Sequence, residues 1–108
     1  MAGSARFADV EWLARTVDVG VRINTLDPEA ATPWHSHTVV ADDVFCLEDP
    51  VSIELRGPDE RVELAPGQRQ RIAPGRIHRV VNRAGHQTRY LLVQAGPYDF
   101  NEACGPGR

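Results

Sequence analysis

Lysine is absent from this chain of 108 residues, and all 12 basic side chains are arginine. Without lysine there is no amine for Schiff-base chemistry and no phosphate-loop lysine, so both reaction classes are excluded. Cysteine is nearly as scarce. Cys46 lies in an apolar run and Cys104 in a Gly/Pro-containing tail, which leaves neither a disulfide framework nor a Cys-rich zinc site and suggests a reducing compartment. Long apolar runs are also missing. The segment Met1 to Ala5 is short and small, with nothing of signal-peptide or membrane-span length, so a soluble, cytoplasmic protein with no membrane partner is expected. Nor is there a large excess of one charge: 12 Arg face 15 Asp plus Glu, a formal net charge of -3. A polyanion such as nucleic acid is therefore not an expected partner.

Turn signals, by contrast, are abundant. Asp27-Pro28, Asp49-Pro50, Gly57-Pro58, Pro66-Gly67, Pro74-Gly75 and Gly96-Pro97 each interrupt a segment of strand length. Between them, Val19 to Asn24 and Val51 to Leu55 alternate apolar with polar or small residues, as a strand with one buried face does. Val44-Phe45-Cys46-Leu47 and Tyr90-Leu91-Leu92-Val93 are more continuously apolar and read as central strands buried on both faces. About eight such segments close most economically as an all-β barrel or two-sheet roll. Asp9 to Arg15 fits neither the helical nor the strand period, and is left as a strand or a helical turn. The whole reads as one domain, residues 1–108, with its core at about 16–96 and a loose C-terminal tail from Asn101 to Arg108.

The chemistry concentrates in the histidines. In a strand, residues i and i+2 point the same way with Cα atoms about 7 Å apart, so His35 and His37 can converge on one ion. After Thr38 to Ala41 the chain can turn, bringing Asp42 in as a hard anionic oxygen beside the two nitrogens. A third nitrogen comes from His78, which follows the Pro74-Gly75 turn. Three imidazoles and one carboxylate leave one or two coordination positions open, as a catalytic metal requires. In the alternative, the same side chains hydrogen-bond inside a metal-free barrel.

These residues resemble the two motifs of the cupin superfamily. The first motif is Gly, five residues, His-x-His, three or four residues, Glu, six residues, Gly. It is similar to His35-Ser36-His37, four residues, Asp42, six residues, Asp49. The second is Gly, five residues, Pro-x-Gly, two residues, His, three residues, Asn. Here it resembles Gly67, Pro74-Gly75, His78 and Asn82, with the proline displaced by one. Glu29 and Asp49 stand where the first motif has glycines, and Asp42 replaces its Glu. The resemblance implies a cupin-type double-stranded β-helix, jelly-roll-like, and a homodimer. It also implies one divalent first-row transition metal (Fe, Mn, Ni, Cu or Zn) on His35, His37, Asp42 and His78.

Period two then sends Val80 and Asn82 to the same side as His78, and Val44 and Cys46 to the same side as Asp42. Arg22, Asn24, Arg76, Tyr90 and Gln94 are candidates for polar contacts to a ligand, and Cys46 for the pocket wall. His86 is expected at the surface, and Trp34 on the face opposite His35. Cupins of this kind include dioxygenases, isomerases, epimerases, lyases, decarboxylases and polyketide cyclases. The first functional expectation is thus a metal-dependent enzyme acting on a small organic molecule. The alternatives are a non-catalytic small-molecule-binding or sensing module and a metal-free assembly domain.

Overall fold

A computed structural model describes residues 7–103 of the chain. The described residues form ten strands, and each predicted turn falls between two of them. In chain order these are β1 (Asp9–Arg15), β2 (Val19–Leu26), β3 (His35–Ser36), β4 (Ala41–Cys46) and β5 (Val51–Leu55). They continue as β6 (Glu60–Leu64), β7 (Arg69–Ile72), β8 (His78–Val81), β9 (Thr88–Ala95) and β10 (Asn101–Glu102). All pairings are antiparallel, in two five-stranded sheets ordered β1-β2-β9-β4-β7 and β10-β3-β8-β5-β6. Apart from the hairpins β1-β2 and β5-β6, successive strands alternate between the two sheets, and the all-β roll read from the sequence is the observed architecture.

The core lies between the sheets. Leu26, Val44, Ile53, Ile72, Tyr90 and Leu92 meet there, supplied by strands of both layers. Burying such a side chain contributes about 1.5–3 kcal/mol, so the layer contact dominates what holds the roll closed. Hydrogen-bonded polar side chains share the interior. Asn82 donates to the carbonyls of Leu26, Asp27 and His86, tying the end of β8 to the turn after β2.

One open reading is decided and two expectations are corrected. Asp9 to Arg15 is a strand whose register against β2 shifts between Trp12 and Ala14. The extra residue, Leu13, explains why neither simple period fitted. β4 and β9 are central in their sheet, but they alternate in burial: Val44, Cys46, Tyr90 and Leu92 are buried, while Phe45, Leu91 and Val93 are only half-covered. The loose tail is in part a strand, because Asn101 and Glu102 pair with Ser36 and His35. Cys104 and the rest of the expected tail lie outside the described residues.

The two motif positions that lack glycine have separate explanations. Glu29 adopts the left-handed backbone at φ 59° that glycine would adopt without strain, whereas Asp49 needs no positive φ. Gly67 and Gly75, matched in the second motif, do take positive φ, at 88° and 81°. The Gly75 turn is also tied to the first motif, since its N–H donates to the His37 carbonyl at 2.7 Å.

Candidate metal centre

Strand pairing sets His35 on β3 directly opposite His78 on β8, in one sheet. Asp42 projects toward them from β4 in the other sheet, and His37 follows β3 by one residue. The four predicted side chains are buried together, and their donor atoms all lie within 4.8 Å of one another. His37 Nε2 and His78 Nε2 stand 3.3 and 3.2 Å from the same oxygen, Asp42 Oδ2. The other oxygen, Oδ1, accepts a hydrogen bond from Gln94 Nε2 at 2.9 Å, which fixes the carboxylate's rotation.

Each imidazole is held from behind. The Nδ1 atoms of His35, His37 and His78 lie 2.7, 2.6 and 2.8 Å from the carbonyl oxygens of Pro33, Asp99 and Arg76. A carbonyl only accepts, so Nδ1 carries the proton in all three rings and Nε2 turns a lone pair inward unless the ring is doubly protonated. The backbone thereby prepares three nitrogens and one carboxylate oxygen around one point, with outer partners of the kind that orient metal-bound histidines.

The electrostatics point the same way. Burial, followed by the neighbouring charge of His78, lowers the His35 pKa to about 4. At His37 burial also opposes protonation, but the Asp42 carboxylate 3.3 Å away outweighs it and holds the pKa above the ordinary histidine value. Burial alone would raise the Asp42 pKa. The close contacts of His37 and His78, the charge of His37 and the hydrogen bond from Gln94 overcome that, and keep it ionised well below the usual carboxylate range. A buried anion surrounded by inward lone pairs favours a positive charge at its centre. His37 Nε2, fully buried and without a hydrogen bond of good geometry, is the atom this leaves unsatisfied. The donor set therefore fits a first-row divalent ion.

A cavity of about 190 Å³ opens beside the cluster. Arg22, Asn24, Tyr90 and Gln94, the candidates for polar contacts, line it, and Val80 forms part of its wall. Asn24 Nδ2 donates to the Tyr90 hydroxyl at 3.2 Å, while Asn24 Oδ1 is buried without a partner. Burial pushes the Tyr90 hydroxyl well above the ordinary phenol range, so it stays protonated. Arg76 and Cys46 are not on the wall. Arg76 precedes β8 in a turn and reaches outward, where Nη2 binds Glu60 at 2.9 Å and the Pro58 carbonyl at 2.8 Å. Cys46 does point inward, but at the far end of β4 in the apolar core, where Sγ donates to the Asp49 carbonyl at 3.1 Å. Burial raises its pKa, so it is a packing residue rather than a nucleophile.

Phe7, Tyr98 and Phe100 also line the cavity and were not singled out from the sequence. Phe100 stacks on His35 with ring centroids 4.7 Å apart, and Tyr98 lies 5.3 Å from His37. Both aromatics are about half exposed, so the segment after β9 forms the rim. Between them, Asp99 accepts from Thr38 N and Thr38 Oγ1 at 2.7 and 2.5 Å, clamping the segment to the chain that follows His37. His86 is exposed, as expected, and faces Asp49 at 2.9 Å. Trp34 points away from the cluster, with Arg56 and Arg79 stacked over its ring at 4.3 and 4.7 Å.

By sequence, no protein-family model and no curated protein matches the chain. Solved structures do match in shape. A conserved protein with a double-stranded β-helix domain from Klebsiella pneumoniae superposes with a TM-score of 0.74 at 17% identity, over 95% of this chain and 89% of the other. The polyketide cyclase RemF from Streptomyces resistomycificus gives 0.74 at 19% identity, over 96% and 78%. A sugar phosphate isomerase of the cupin superfamily from Silicibacter pomeroyi gives 0.64 at 18% identity, over 79% and 68%. With its two facing sheets and its two motifs brought together at one end, this chain has the cupin double-stranded β-helix fold.

Proposed function

We propose that the chain is a metal-dependent enzyme acting on a small organic molecule. In this reading one divalent first-row transition metal is held by His35, His37, Asp42 and His78. The observation that carries it is the set of three buried imidazoles, each locked through Nδ1 to a backbone carbonyl, converging with one carboxylate beside an open cavity. Four protein donors leave one or two positions for a substrate, the arrangement of a catalytic rather than a structural site. Bound there, the ion supplies a Lewis acid or a redox centre.

The protein's own groups have distinct tasks. Gln94 keeps Asp42 turned toward the histidines, Val80 and Leu92 exclude water from one wall, and Asn24 with Tyr90 offers a neutral polar patch. Among the structural neighbours, a cyclase and an isomerase share this fold, so the fold is compatible with quite different reactions. Plasma mass spectrometry of purified protein tests the assignment. About one first-row ion per chain is expected, lost in both His35→Ala and His78→Ala. Protein that stays metal-free after reconstitution would retire the metalloenzyme reading.

A further inference from the structure

Among the described residues, seven arginines pair with carboxylates: Arg61, Arg69, Arg71, Arg76, Arg79, Arg83 and Arg89. Arg22 makes no such pair, and it is the arginine that lines the cavity. Its guanidinium lies 4.9 Å from the Trp12 ring centroid and 6.0 Å from that of Tyr98, while its Nε is buried with no hydrogen-bond acceptor. A partly desolvated cation resting on aromatic faces keeps its in-plane donors free for an anion.

Arg22 lines the same cavity as the histidine cluster, which limits what that anion belongs to. Arg22 on β2 pairs with Leu92 on β9, and Leu92 pairs with Val44 on β4, one inward position along from Asp42. Two strand spacings separate the β2 and β4 backbones, about 10 Å. A molecule that touches both the guanidinium and the cluster has to fit the cavity they share. The cavity holds about 190 Å³, and an apolar cavity of about 150 Å³ is enough for a benzene ring. Phe7, Tyr98 and Phe100 supply aromatic surface for such a ring.

We propose that the cavity binds a single-ring organic acid, its carboxylate on Arg22 and its ring against these aromatics, with the opposite edge facing the histidine cluster. This names a substrate class for the enzyme proposed above and rests on that reading only for the chemistry, because the anion contact needs no metal. The test is calorimetric titration of the purified protein with benzoate and with its neutral isostere benzamide, metal content being measured on the same samples.

Benzoate is expected to bind the native chain at least tenfold more tightly than benzamide. Arg22→Gln is expected to weaken benzoate about ten- to hundredfold, the loss of a charged hydrogen-bond pair, while leaving benzamide binding and metal content unchanged. Absence of benzoate binding, equal binding of the two probes, or an Arg22→Gln variant that holds benzoate like the native chain would overturn the proposal. Arg22-dependent benzoate binding by a protein without metal would keep the acid site and retire the metalloenzyme reading. Full metal content without benzoate binding would do the reverse.

Discussion

Each histidine of the cluster gives one ring nitrogen to a backbone carbonyl and keeps the other for the interior, so a metal ion bound there would compete with a proton for the same lone pairs. His35, with its pKa near 4, is already neutral at pH 7 and has no proton to release. His37, held above the ordinary value by Asp42, has one to lose. Metal uptake near neutral pH is therefore expected to release up to about one proton per ion, and affinity to rise with pH until His37 is fully deprotonated. Calorimetry in buffers of different ionisation enthalpy measures this directly, and an affinity that falls with rising pH would contradict it. Glu29 allows a separate test. Its side chain is exposed while its backbone sits at φ 59°, so Glu29→Gly relieves left-handed strain at some cost in unfolded-state entropy. A gain of about 0.5–1 kcal/mol in urea unfolding is expected. The ligands themselves were legible because strand period and motif spacing both fix them. The carbonyls behind them were not, since they come from Pro33, Arg76 and the distant Asp99 and carry no side-chain signature.

At the scale of elements, the segment from Pro97 to Ala103 does more than end the chain's last long strand. It puts a carbonyl on His37, two aromatics on the cavity rim and a short strand against β3. Asp99→Ala removes the clamp on Thr38 but keeps the backbone carbonyl, so the carbonyl behind His37 is held less firmly. Metal affinity is expected to drop about tenfold or more, read by competition with a chelator of known strength. An unchanged affinity would show that the clamp is dispensable. This segment escaped sequence reading because Tyr98, Asp99 and Phe100 follow a turn and match no strand run of useful length. β1 was ambiguous for the opposite reason: its pattern is that of a strand, but Leu13 shifts it midway.

Across the whole molecule, the half-covered positions of the first sheet form rows. Ile23, Leu91 and Phe45 are direct neighbours across β2, β9 and β4, and Val21 adjoins Val93, all on the face turned away from the cavity. Their apolar character made β4 and β9 read as buried on both sides, and among the described residues nothing fully covers the outer side. We propose that a second copy of the chain does so, giving a homodimer. Light scattering on a sizing column is expected to report twice the 11.9 kDa chain mass and Leu91→Arg to halve it; a monomeric native chain would refute this. The placement of Asp99 also has a kinetic consequence. Because the segment that rims the cavity also steadies His37, a molecule lodged beneath Tyr98 and Phe100 and an ion bound at His37 would be coupled through it. Occupancy of the cavity should lengthen the residence time of the ion, and loss of the ion should loosen the rim for whatever the cavity holds.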